Sequence, residues 1–151
     1  MNWQPRLASI VANKNPFMAQ TVLLVDDDPL THQVLQRYLE RAGYQMIGAR
    51  NGREALKLAR RQLPQLIILD VMMPDMDGWA VLGQLKKTEA TQAIPVILLT
   101  MKADPSAQEQ AEQAAATLLL AKPISAAQLL AVIKRVIPAP AGNDTSVKTR
   151  T

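Results

Sequence analysis

The chain of 151 residues contains no cysteine, which excludes disulfide bonds, thiolate metal sites and a cysteine nucleophile. This absence fits a reducing compartment, and we expect a cytoplasmic protein. Long apolar runs are also lacking, since no stretch approaches the roughly 20 residues that a membrane-spanning helix needs. Aromatic residues make up only 3% of the chain, whereas 48% of residues are apolar and 20% are charged. These proportions are typical of one soluble globular domain with a sizeable core and no contact with membranes.

The ends of the chain differ in composition from its middle. The apolar patch Leu7–Ala12 is too short for a secretory signal, and Met18 is an alternative start. We expect residues 1–20 to form a flexible N-terminal extension and residues 138–151 a disordered tail, which leaves one domain at 21–137.

The net charge of +4 invites a nucleic-acid interpretation, but residues 21–137 hold thirteen basic and twelve acidic residues. The bases concentrated between Arg37 and Arg61 are interpreted as a solvated helix face rather than a phosphate-backbone surface, and no DNA-binding domain is expected.

Strand-like and helix-like segments alternate five times within 21–137. The predicted strands are apolar, at Thr21–Val25, Gln45–Ala49, Leu66–Val71, Ile94–Thr100 and Thr117–Ala121. The predicted helices run from Pro29 to Gly43, from Gly52 to Pro64, from about Trp79 to Thr88, from Asp104 to about Ala116, and from Ser125 to Ile137. Such alternation predicts an α/β fold with one doubly wound, five-stranded parallel sheet and helices on both faces.

The first predicted helix carries several specific expectations. Asp28 is interpreted as its N-cap, with Pro29 at the first helical position. His32, the one histidine of the chain, is expected to be an ordinary surface residue. The apolar positions at helical spacing predict an apolar stripe on this helix, made of Leu30, Val34, Tyr38, Leu35 and Leu39.

Polar side chains lie at the carboxyl ends of four of the predicted strands. Asp26 and Asp27 follow the first strand, Asp70 and Thr100 lie at the ends of the third and fourth, and Lys122 follows the fifth. The carboxyl ends of parallel strands line the ligand crevice of such a sheet, so these groups are expected in one pocket. Clustered carboxylates repel one another unless a cation lies among them, and Mg²⁺ prefers such oxygen ligands. The pattern therefore predicts an Mg²⁺ site that receives a phosphoryl group.

The order of these motifs resembles the receiver domain of bacterial two-component response regulators. The resemblance covers about residues 20–137 and is carried by Val25–Pro29, Leu69–Gly78, Leu99–Thr100 and Lys122–Pro123. It implies a flavodoxin-like (βα)5 fold with strand order 2-1-3-4-5. It further implies that Asp70 accepts a phosphoryl group from the phosphohistidine of a partner.

The resemblance also assigns roles to the other residues of the pocket. Asp27, Asp70 and the backbone carbonyl of Met72 would bind Mg²⁺, with Asp26 helping through water. Thr100 would be the switch hydroxyl, and Lys122 would pair with the phosphoryl group. The expected partners are a sensor histidine kinase or a histidine phosphotransfer protein and a downstream protein target.

Two positions depart from the family pattern. Met101 stands where a small residue usually follows the switch threonine, and its bulk is expected to screen the phosphoryl group. Leu119 stands where an aromatic switch residue is usual, so an aromatic rotamer change cannot report phosphorylation. The apolar set on the last helix is equally compatible with core packing and with a homodimer interface.

Two other functions remain open from the sequence. The first is a small Mg²⁺-dependent phosphatase of haloacid-dehalogenase type, with Asp26 as nucleophile and Asp28 as the acid two residues later. A small phosphodonor would then label Asp26 instead of Asp70. The second is a degenerate binding module that is never phosphorylated but still binds a partner.

Overall fold

A computed structural model describes residues 20–138, so the predicted extension and tail lie outside the described residues, apart from Gln20 and Pro138. Five strands and five helices alternate within this range, as predicted. The strands are β1 (Thr21–Val25), β2 (Gln45–Ala49), β3 (Leu66–Asp70), β4 (Val96–Thr100) and β5 (Leu118–Ala121). The helices are α1 (Pro29–Arg41), α2 (Gly52–Gln62), α3 (Gly78–Lys87), α4 (Pro105–Gln113) and α5 (Ala126–Val136).

The five strands form one parallel sheet in the order β2-β1-β3-β4-β5. All five residues of β3 and of β4 are buried, because the central strands of a doubly wound sheet are covered on both faces. The predicted flavodoxin-like fold with strand order 2-1-3-4-5 is therefore confirmed.

Alternate residues of each central strand enter two separate cores, one on each side of the sheet. Leu23, Ile67 and Leu98 pack on one side with apolar residues of α2, α3 and α4. Leu24 and Ile68 pack on the other side with apolar residues of α1 and α5. This two-residue period follows from the pleat of a strand, which points successive side chains to opposite faces.

The stripe predicted on α1 is only half buried. Leu35 and Leu39 are buried, but Leu30 is 62% exposed, Val34 42% and Tyr38 39%. The five positions form two adjacent rows on the helix, and only one row meets the sheet and α5. The other row, Leu30–Val34–Tyr38, is an exposed apolar surface at i, i+4 and i+8, which we name the α1 row.

Helix and strand limits depart from the sequence prediction at two informative places. Helix α4 ends at Gln113, three residues early, because Ala115 has a φ of 66°, a left-handed conformation that cannot continue an α-helix. Strand β4 begins at Val96 rather than Ile94, because Pro95 has no N–H to contribute to a ladder. Within residues 20–138, no helix is both long and apolar enough to pass through a membrane.

Candidate metal and phosphoryl site

The carboxyl edge of the sheet carries the polar groups that the sequence singled out. Asp26 follows β1, and its backbone N–H donates to the carbonyl of Ala49 at 3.1 Å, which extends the pairing with β2 by one residue. Asp70 and Thr100 are the last residues of β3 and β4. Lys122 follows β5, and its N–H donates to the Thr100 carbonyl at 2.7 Å. Backbone pairing therefore fixes where each of these side chains begins.

Three carboxylates meet at this edge. Asp26, Asp27 and Asp70 each offer an oxygen that lies within 4.8 Å of the others. Asp26 and Asp70 are buried, with exposures of 1% and 3%, whereas Asp27 is exposed. These three residues could hold a divalent cation, since carboxylate oxygens are the ligands that Mg²⁺ prefers.

Lys122 reaches into the carboxylate cluster. Its Nζ donates to Asp70 Oδ2 at 3.2 Å and lies 3.9 Å from Asp26 Oδ2. One lysine cannot neutralise three carboxylates, so the cluster keeps an excess of negative charge. Mg²⁺ together with Lys122 would balance that charge.

The excess negative charge of the cluster is most evident at the Asp26 side chain. Its Oδ1 accepts the Asp28 N–H at 2.8 Å, but its buried Oδ2 has no hydrogen-bond partner. Burial raises the pKa of the Asp26 carboxyl, and the charges of Asp70 and Asp27 raise it further, against the lowering effects of the Asp28 N–H and Lys122. A buried carboxylate oxygen with no donor beside two other carboxylates is a suitable environment for a divalent cation.

Thr100 and Met72 lie at the same edge with different contacts. The Thr100 hydroxyl, in a residue 8% exposed, accepts the backbone N–H of Lys102 at 3.2 Å. The Met72 N–H donates to Asp70 Oδ1 at 3.1 Å, while the Met72 side chain is exposed. A cavity of about 320 Å³ adjoins the cluster and is lined by Asp27, Val71, Met72, Met73, Pro74 and Asp77. The edge therefore has open space beside Asp27.

The two positions that depart from the family pattern differ in exposure. Met101, directly after Thr100, is 68% exposed. Leu119 is buried at 5% exposure in the core on the α2–α4 side of the sheet. Leu119 is therefore part of the hydrophobic core.

Two acidic residues near the site cap the N-termini of helices. Asp28 Oδ1 accepts the Leu30 N–H at 2.9 Å and caps α1, as predicted. Asp77 Oδ1 accepts the Ala80 N–H at 2.9 Å and caps α3. Since Asp28 serves as a cap, the second acid of the phosphatase interpretation already has a structural role.

Two residues near the site were missed or misjudged from the sequence. His32 is half-buried rather than an ordinary surface residue, and its Nε2 lies 2.8 Å from the backbone carbonyl oxygen of Asp26. Gly78 packs directly against the end of β3, since a Cβ there would lie 2.7 Å from the Asp70 carbonyl oxygen. Nothing in the sequence indicated the histidine contact, whereas the position of Gly78 after a loop of acids hinted only at a turn.

Comparisons with known proteins agree with this geometry. Residues 22–134 match the family model described as the response regulator receiver domain. The polar-differentiation response regulator DivK of Brucella anthropi is 35% identical over 117 residues, which cover 78% of this chain and 95% of DivK. Protein PilH of Pseudomonas aeruginosa is 34% identical over 116 residues, which cover 77% of this chain and 96% of PilH.

Solved structures show the same fold. The chemotaxis response regulator CheY4 of Vibrio cholerae superposes with a TM-score of 0.74 at 32% identity, over 80% of this chain and 100% of CheY4. Sequence family, relatives and fold agree, and the chain belongs to the response regulator receiver domains, the phospho-acceptor modules of two-component signal transduction.

Proposed function

We propose that Asp70 is the phospho-acceptor of this receiver domain, which spans residues 21–137 and acts in the cytoplasm. The observation that carries the proposal is the group of Asp26, Asp27 and Asp70 oxygens within 4.8 Å, with Lys122 Nζ on Asp70. Asp70 is the member that lies at the end of the central strand β3 and contacts Lys122 most closely, at 3.2 Å. No observation in residues 20–138 favours the phosphatase alternative.

Asp26, Asp27 and Asp70, together with the Met72 carbonyl, would hold Mg²⁺. The Oδ2 of Asp26 supports this assignment, because it is buried without a hydrogen-bond partner and a cation would supply the compensation that Lys122 at 3.9 Å gives only in part. When bound, Mg²⁺ supplies charge neutralisation for the incoming phosphoryl oxygens.

The transfer itself needs a nucleophile and a leaving group. An Asp70 carboxylate oxygen attacks phosphorus, a P–O bond forms, and the P–N bond to the donor imidazole breaks. The imidazole nitrogen leaves with the electron pair and takes up a proton. Lys122 stabilises the transferring oxygens by charge, and positioning of this kind accounts for most of the catalysis in phosphoryl transfer. The domain thus catalyses only its own phosphorylation and dephosphorylation.

The switch follows from a change of charge at Asp70. Phosphorylation of Asp70 removes the carboxylate charge, and the phosphoryl group brings roughly −2. The Thr100 hydroxyl, which donates to the Lys102 carbonyl oxygen at 3.5 Å, would instead donate to a phosphoryl oxygen, since charge-assisted bonds are the stronger ones. Because Leu119 replaces an aromatic residue, the inward movement of Thr100 would be transmitted through the backbone after β4 rather than by an aromatic rotamer.

The α1 row supports a docking role for protein partners. Helix α1 begins at the site, since its cap Asp28 also donates its N–H to Asp26. The exposed Leu30, Val34 and Tyr38 therefore form an apolar surface that leads away from the acceptor. A sensor histidine kinase or a histidine phosphotransfer protein that covers this row would place its phosphohistidine near Asp70, and a downstream protein target would read the switch.

Phosphorylation of matched variants by a small phosphodonor tests the assignment. Wild-type protein and Asp75→Asn, which alters an exposed loop acid, should both gain an acid-labile, hydroxylamine-sensitive phosphoryl group from acetyl phosphate in Mg²⁺. Asp70→Asn should gain none while unfolding at a temperature close to that of the wild type. Equal labelling of Asp70→Asn and wild type would refute the proposal.

A further inference from the structure

The single histidine of the chain makes a specific contact behind the carboxylate cluster. The His32 ring is half-buried on α1, and its Nε2 lies 2.8 Å from the backbone carbonyl oxygen of Asp26. A carbonyl oxygen only accepts hydrogen bonds, so Nε2 carries the hydrogen and donates it. The contact spans six residues and connects a helix to the end of β1, which makes it independent of the backbone pairing of either element.

Gly48 on β2 provides the space for this ring. A Cβ at position 48 would lie 2.5 Å from His32 Nδ1 and 2.8 Å from its Cε1. Both distances are shorter than a van der Waals contact allows. Gly48 pairs with Leu24 of β1, and the β2–β1 pairing fixes its backbone, so the ring rather than the backbone would have to move. The pair His32–Gly48 is thus a fitted contact between α1 and the sheet.

Asp27 is the carboxylate whose position depends on this contact. The Asp26 side chain is held by the Asp28 N–H, and the Asp70 side chain is held by the Met72 N–H and Lys122. Within residues 20–138 the Asp27 side chain makes no such hydrogen bond, so its placement rests on its backbone. The peptide group that joins Asp26 to Asp27 carries the carbonyl oxygen to which His32 donates.

We infer that His32 is a positioning residue for the metal site, which fixes the Asp26–Asp27 peptide and thereby aims the Asp27 carboxylate at the cation. Gly48 is required because it leaves room for the ring. This inference rests on the proposed Mg²⁺ site, and it adds a residue that touches neither the cation nor the phosphoryl group. Loss of such an outer hydrogen bond weakens metal binding by about tenfold or more.

Mg²⁺ titration of the full chain, followed by the amide chemical shifts of residues 26–28, tests the inference. His32→Ala should raise the Mg²⁺ dissociation constant about tenfold. His32→Gln keeps an N–H donor and should stay close to the wild-type value. Gly48→Ala displaces the ring and should raise the constant as His32→Ala does.

The double variant His32→Ala/Gly48→Ala separates this account from a general loss of stability. Without the ring, the added methyl group meets no obstacle, so the double variant should bind Mg²⁺ as His32→Ala alone does. An unchanged dissociation constant in His32→Ala, failure of Gln to restore it, or effects that multiply in the double variant would each overturn the inference. A wild-type chain that binds no Mg²⁺ would instead refute the proposed metal site, and this inference with it.

Discussion

Asp26→Asn should stabilise the metal-free protein even though it removes a metal ligand. The Asp26 carboxylate is buried, carries one oxygen without a hydrogen-bond partner, and lies within 4.8 Å of two other carboxylates. Asn keeps the shape of the side chain and the Oδ1 that accepts the Asp28 N–H, but it removes the charge. The stability of this variant therefore measures how much the buried charge of Asp26 destabilises the metal-free protein.

The magnitude follows from the distances. At an effective dielectric constant of about 20, two charges about 4.8 Å apart repel by roughly 3 kcal/mol, so the two neighbouring carboxylates contribute roughly 6 kcal/mol. The substitution also removes the attraction between Lys122 Nζ and Asp26 Oδ2, which lie 3.9 Å apart, and this attraction is roughly 4 kcal/mol at the same dielectric constant. In Asp26→Asn the Asp28 N–H donates to a neutral amide oxygen instead of a carboxylate. This weaker hydrogen bond lowers the expected gain in stability by about 1 kcal/mol more. The free energy of unfolding should thus rise by about 1–2 kcal/mol, or by about 4–8 °C in the melting temperature.

Urea unfolding in EDTA and in Mg²⁺ is the assay. In EDTA, Asp26→Asn should be more stable than the wild type, and Asp75→Asn in the exposed loop should leave stability unchanged. In Mg²⁺, the free energy of unfolding of the wild type should rise with metal concentration, because the ion binds the folded state. The difference in stability between Asp26→Asn and the wild type should therefore become smaller. A lower stability of Asp26→Asn in EDTA would refute the reasoning, since the carboxylate would then be a favourable part of the metal-free fold.

Three further substitutions test separate parts of the structure. Met101→Ala should shorten the half-life of the phosphorylated form, measured by loss of label, because a small residue exposes the phosphoryl group to water; an unchanged half-life would remove Met101 from the account. Tyr44→Phe deletes a buried hydroxyl that donates to the Ile137 carbonyl at 2.6 Å, so urea unfolding should show a loss of about 1–2 kcal/mol. Gly78→Ala places a Cβ 2.7 Å from the Asp70 carbonyl oxygen and should cost about 1–3 kcal/mol and slow phosphorylation, and a neutral effect on both would contradict the contact.

The central strands could be predicted from the sequence because they are buried on both faces and are therefore apolar except at their ends. The limits of β1 agree with the apolar run Thr21–Val25, and those of the partly exposed edge strand β2 agree with the prediction Gln45–Ala49. The end of α4 could not be predicted, since the left-handed residue there is Ala115, and alanine carries no signal for that conformation. The exposed half of the α1 stripe was also beyond the sequence, because spacing marks the apolar positions but not the row that meets α5.

The candidate site divides in the same way. Asp26, Asp70 and Thr100 could be placed at one edge because parallel strands end together, and the carboxylates do meet in the structure. The contact of His32 with a backbone carbonyl could not be predicted, since any residue offers such a carbonyl and no side-chain pattern marks it. Contacts between a side chain and a distant backbone group therefore become visible only in the structure.

Mass-spectrometric mapping of the phosphoryl group tests the central claim most directly. Full-length protein treated with acetyl phosphate and Mg²⁺ should carry one aspartyl phosphate, trapped by borohydride reduction and located at Asp70. Label at Asp26, or at no aspartate in protein that binds Mg²⁺, would contradict the account.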